Sequence, residues 1–155
     1  MRVVALDYGS ARCGCAVSDA TGTIATPLDE IERPATRRGL TRIAGLVSET
    51  AAERVVVGLP LSLSGDDTDQ TRETREFAER LGRRLNVPVE LYDERLTTRL
   101  AQRSAREGPD APRTSEDSRA AAHLLEGWLL ARAREPAVQE PGEVGSPPHR
   151  APADR

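Results

Sequence analysis

The run Val3-Val4-Ala5-Leu6 is apolar at every position. Side chains alternate faces along a strand, so a strand with no polar side must be covered on both and belongs inside a layered sheet. Two more segments of this kind follow, Arg54-Val55-Val56-Val57 and Val87 to Tyr92. A helical stripe precedes each: Leu40, Ile43, Ala44, Val47 and Ala51 before the first, and Thr74, Phe77, Ala78, Leu81 and Leu85 before the second. Parallel strands need such crossovers, so strands 1, 4 and 5 are predicted to run parallel. Turns at Tyr8-Gly9-Ser10 and Asp19-Ala20-Thr21-Gly22 set off two further strands, from about Cys13 to Val17 and from Ile24 to Ile31, as an antiparallel meander. A helix from about Thr97 to Arg106, a loop from Gly108 to Arg113 and a last helix from Ser115 to Ala133 complete the order βββαβαβαα.

The fold class is therefore α/β, with a five-stranded mixed sheet (a three-strand antiparallel meander plus two parallel strands) flanked by helices. A chain of 155 residues suits one such domain. Residues 1–134 read as that domain. Residues 135–155 hold five of the 11 prolines and almost no large apolar side chains, and read as a disordered Pro-rich tail.

Composition narrows the function classes. Net charge is −3, which supplies no global basic field and argues against charge-driven, high-affinity nucleic-acid binding, while leaving room for an enzyme with a local basic rim. Every basic side chain is Arg. With abundant Ala, Gly and Pro, this reads first as the coding bias of a G+C-rich genome; phosphate recognition by guanidinium forks is the alternative. Cys13 and Cys15 have no second ligand pair of the kind a zinc site of about four ligands needs. On one strand they share a face with Val17 and read as small buried hydrophobes. No apolar run reaches the roughly 18 residues of a membrane span and no signal peptide is visible, so the expectation is a cytoplasmic protein.

The chemistry gathers where predicted parallel strands end, as functional groups do in open α/β sheets. Asp7, Gly58-Leu59-Pro60 and Asp93-Glu94-Arg95 all lie at such ends. Asp7 alone is adequately explained as a turn former. Yet it follows a wholly apolar strand, so its carboxylate should be partly desolvated and in need of a cation, or of Arg12. Glu94 and Asp93 would point to opposite sides if the strand persists; without co-ligands, Glu94 reads as a surface acid paired with Arg95 or Arg99. Asp117 shares a helix face with Ala121, Leu124 and Trp128, while Glu116 and Arg119 do not. A capping box with Thr114 as N-cap explains an acid there, but not an acid pointing inwards.

Three acids at element ends suggest a hard-cation site of oxygen ligands, suited to one or two Mg²⁺ or Mn²⁺ ions. Two such ions roughly 3.5–4 Å apart can activate a water and hold the leaving oxygen in phosphodiester hydrolysis. Arg95, Arg99, Arg103 and Arg106 fall on one helix face, either a phosphate-binding rim or a solvated surface. His123 falls on the polar side of its helix and is given no role. Scarce aromatics, 3% of residues, argue against a base-stacking platform.

DYGSARCGCAVSD, VVVGLPLSLSG, FAERL, DERLTTRLA and EDSRAAAHLLEGWL stand in an order and at separations that resemble the YqgF family over about residues 1–133. These are RNase H-like nucleases, also called Holliday-junction-resolvase-like proteins, implicated in maturing the 5′ end of pre-16S ribosomal RNA. The resemblance implies an RNase H-like fold and Asp7, Glu94 and Asp117 as catalytic, metal-holding acids. Arg12 matches the family's basic residue after DYG, and Arg12 and Arg95 are expected to contact substrate phosphates. Partners would be structured RNA, ribosomal precursor particles and branched DNA. Cys13 and Cys15 replace residues that are usually larger and aliphatic, and Glu116 stands where an aliphatic residue usually precedes the helix acid. Rival readings are a DNA junction resolvase, a non-catalytic ribosome- or transcription-associated module, and an actin-like ATP-binding protein. The last needs a second lobe for which 155 residues leave no room.

Overall fold

The computed structural model describes residues 1–62, 64–96 and 115–134. Strands β1 (Val3–Tyr8), β2 (Arg12–Ser18), β3 (Ala25–Glu32), β4 (Arg54–Leu59) and β5 (Val89–Asp93) form one sheet in the order β3-β2-β1-β4-β5. The first three pair antiparallel, and β1/β4 and β4/β5 pair parallel, as the sequence implies. Helix α1 (Arg37–Thr50) links β3 to β4, and α2 (Asp69–Arg84) links β4 to β5. A short 3₁₀ turn, Glu94–Leu96, follows β5, and α3 spans Glu116–Arg134. The expected helix over 97–106, the loop after it and the tail over 135–155 lie outside the described residues.

Strand alternation sorts the sheet into two faces, each with its own core. On one face Val4, Leu6, Cys13, Cys15, Val55 and Val57 meet Leu40, Ile43 and Val47 of α1 and Phe77, Ala78 and Leu81 of α2. The cysteines are free, fully buried packing residues of this face. On the other face Val3, Ala5, Ala16 and Val56 meet Ala121, Leu124, Leu125 and Trp128 of α3. The third strand starts at Ala25 rather than Ile24, whose side chain stays 62% exposed.

Two local devices fix the strand ends that matter below. Tyr8, the residue after Asp7, turns to the opposite face, stacks on Phe77 with ring centroids 4.4 Å apart and donates its hydroxyl to Glu73 Oε1 at 2.8 Å. The end of β4 is tied to the start of α2. Thr68 and Thr71 form a reciprocal capping box, and the buried Thr71 hydroxyl also donates to the Pro60 carbonyl at 2.6 Å. Truncating Phe77 removes both a core side chain and the ring beneath Tyr8. Phe77→Ala is expected to lower unfolding free energy by about 3–5 kcal/mol in urea titration followed by circular dichroism.

Candidate active site

Because β1, β4 and β5 are parallel neighbours, their carboxyl ends open on one edge of the sheet. Asp7 comes from β1, Gly58 from β4 and Glu94 from the turn after β5. The strand stops at Asp93, so Glu94 is not constrained by strand alternation. Its carboxylate reaches back over β4, where a Cβ on Gly58 would lie 2.7 Å from Glu94 Oε1. The missing side chain at Gly58 is the space this carboxylate occupies.

The Asp7 and Glu94 carboxyls lie within hydrogen-bonding reach of each other. Two carboxyl groups can share such a bond only when one keeps its proton. Burial, the Glu94 hydrogen bond, the Glu94 charge and the Asp117 charge all raise the Asp7 carboxyl, in that order, to about 8. Asp117, on the first turn of α3, thus acts on Asp7 through its charge. The N-cap there is Ser115, whose Oγ accepts from the Ser118 N–H at 3.2 Å; the expected N-cap, Thr114, lies outside the described residues.

The predicted basic partners are arranged differently. Arg12 does not neutralise Asp7. Among the described residues its nearest acid is Glu30, at 3.9 Å, and its side chain is 60% exposed. It stands two residues from Gly14, the register partner of Asp7, so it lies on the same face of the sheet as Asp7. Arg95 is exposed and locked onto Asp93, with Nη2 2.7 Å and Nε 3.0 Å from Oδ2. That guanidinium pulls the Asp93 carboxyl below its ordinary range. Asp93 and Glu94 part company, one to an ion pair and one to the site, although the strand does not persist through Glu94. Arg99, Arg103 and Arg106 lie outside the described residues. His123 is half-buried, with Nδ1 3.8 Å from Glu126 Oε2, and not on an open polar face.

Among the described residues, no group of three or more His, Cys, Asp or Glu is arranged to hold a metal ion as it stands. The donor chemistry nonetheless fits a hard divalent ion. All three groups offer carboxylate oxygen, and Asp7 retains a proton in a place where a cation would make ionisation favourable.

The family model described as "RuvX: Holliday junction resolvase" matches residues 1–131. The chain belongs to the RuvX family. This is the family, also called YqgF, that the motifs resemble. A Mycobacterium sp. (strain KMS) protein named "Putative pre-16S rRNA nuclease" is 41% identical over 149 residues, 93% of this chain and 87% of that one. A protein of the same name from Chloroflexus aurantiacus is 39% identical over 137 residues, 86% and 90% of the two chains. Thermus thermophilus RuvC, solved in complex with a Holliday junction substrate, superposes with a TM-score of 0.62 at 17% identity, covering 86% of this chain and 96% of that one. The yeast mitochondrial Holliday junction resolvase gives 0.50 at 12% identity, covering 84% and 78%. These likenesses establish the RNase H-like fold of this RuvX protein.

The protonated Asp7 has a consequence for the metal-free protein. In the unfolded chain this carboxyl ionises around its ordinary 3.8, while in the folded chain it holds its proton up to about 8. Between those values the folded state binds the extra proton, so this group's contribution is complete below the lower value and is lost as pH rises through the upper one. Metal-free protein should therefore lose stability from about pH 4 to pH 8, and Asp7→Asn should flatten that decline; denaturant midpoints measured across the range in chelator test both.

Proposed function

We propose that this RuvX protein is a metal-dependent nuclease that hydrolyses phosphodiester bonds in structured RNA, in 5′-end processing of a ribosomal RNA precursor. The observation that carries the reading is the half-buried Asp7–Glu94 pair at the ends of β1 and β5, on either side of β4, with Asp117 acting on Asp7 from the facing helix. A cluster of acids so placed, in a frame otherwise filled by aliphatic side chains, has no structural use that apolar residues would not serve better. Family membership and the names borne by the curated relatives support the same reading.

Asp7, Glu94 and Asp117 would hold one or two Mg²⁺ or Mn²⁺ ions. Bound there, such an ion lowers the pKa of a coordinated water and offsets charge on the phosphate. The protein's own groups do the rest. Asp7, which holds its proton in the metal-free protein, would give it up as the site loads. Arg12, exposed on the same sheet face, and Arg95, held in one pose by Asp93, contact substrate phosphates beside the acids. Hydrolysis breaks the bond from phosphorus to O3′ and leaves 3′-hydroxyl and 5′-phosphate ends. Ribosomal precursor particles are the natural source of this substrate. No described helix is long and apolar enough to cross a membrane, and the proposed setting is the cytoplasm.

A second reading, cleavage of branched DNA by the same acids, is favoured by the likeness to RuvC solved with a Holliday junction. A precursor RNA and a four-way DNA junction incubated side by side with Mg²⁺ or Mn²⁺ separate the two. The precursor should be cut and the junction left intact. Asp7→Asn and Asp117→Asn should each lower the rate about 10³-fold, the several kcal/mol that a metal centre contributes. Metal-independent binding without cleavage, or variants as active as wild type, would remove the nuclease assignment.

A further inference from the structure

Asp117 reaches the centre from a different element than its two partners, so something must hold α3 at the right height and register. Gly14 is the register partner of Asp7 across β1 and β2. A Cβ on Gly14 would lie 1.9 Å from the Asp117 carbonyl oxygen, 2.1 Å from its carbon and 2.7 Å from the Ser118 nitrogen. The backbone of α3 thus fills the space where a side chain of β2 would stand. The sheet ladder also breaks here, with a register shift between Cys13 and Cys15 against β3. The Cys15 N–H donates to Ser118 Oγ at 3.3 Å, and Ser118 is fully buried. Its own N–H donates to the Ser115 cap. The 117–118 peptide is therefore pressed on β2 from below and tied on both sides.

We propose that Gly14 and Ser118 are positioning residues of the carboxylate centre: the glycine sets how closely α3 approaches Asp7, and the Ser118–Cys15 hydrogen bond sets where along the sheet Asp117 lands. The inference rests on the metal-centre reading above. The apolar contacts of Ala121, Leu124, Leu125 and Trp128 fix which face α3 covers. Such contacts are non-directional and tolerate small axial shifts, whereas a metal-holding constellation must be kept within about 0.5 Å. A hydrogen bond and a backbone contact one residue from Asp117 supply that directional restraint.

The test is calorimetric binding of Mn²⁺ to the full chain, alongside thermal unfolding of the same samples. Ser118→Ala removes the tie without adding bulk. It should weaken Mn²⁺ binding about 10-fold, the usual scale for losing a group that orients a ligand. Val3→Ala is the control. Val3 is also buried beneath α3 but at the opposite end of β1 from Asp7. It should bind Mn²⁺ as wild type does, even where its unfolding midpoint falls as far as that of Ser118→Ala. Gly14→Ala should weaken binding at least as much as Ser118→Ala; if it does not fold, Ser118→Ala decides alone. Wild-type affinity in Ser118→Ala, or equal weakening in both Ser118→Ala and Val3→Ala, would overturn the positioning role and leave the metal centre standing. A wild-type chain that binds no Mn²⁺ would overturn both.

Discussion

Strand β1 pairs antiparallel with β2 on one side and parallel with β4 on the other, and the arrangement of the site depends on that double pairing. The parallel partner brings the end of β4, and through it that of β5, to the edge where Asp7 emerges. The antiparallel partner brings Gly14 directly beside Asp7 and so gives α3 a place to land. An all-parallel sheet would lack the second neighbour, and a pure meander would lack the first.

The two faces of the sheet divide the work. One face, closed by α1 and α2, is a continuous aliphatic core in which Tyr8 and Phe77 supply the aromatic contact. The other, closed by α3, is apolar at one end and acidic at the other. Residues 7 and 8 show the division within one dipeptide, the first turned towards the acids and the second towards the packing of α2. The unfavourable concentration of like charge is thus carried by a strand whose other side is fully engaged in packing.

Periodicity in the sequence was enough for the element order and the strand directions, because apolar runs and helical stripes are local signals that the core face reinforces. It also marked two acids that the structure leaves only half-exposed: Asp7 by the wholly apolar strand before it, and Asp117 by its phase with Ala121, Leu124 and Trp128. Contacts across elements were harder to read. The approach of Glu94 to Asp7 depends on an absent side chain at Gly58 and on β5 ending at Asp93, neither of which has a local signature. Thr114 and Ser115 are equally good N-caps by residue type, and only the actual start of α3 chooses Ser115. Arg12, the alternative to a cation beside Asp7, lies nearer Glu30 of β3. Gly14 and Ser118 carried one weak signal, a glycine inside a strand, which marks either a bulge or the close approach of another backbone. Both are found there.

The chain's one tryptophan, Trp128, lies buried in the α3-covered core with the Arg132 guanidinium 5.1 Å from its ring centre. It rides on the same helix as Asp117. Indole emission therefore follows the seating of that helix with no added label, and Arg132 makes the emission sensitive to how the last turns lie. Few chains carry their only strong fluorophore on the element that completes the acidic cluster; here, spectroscopy of the unmodified protein can observe the assembly of the site independently of turnover.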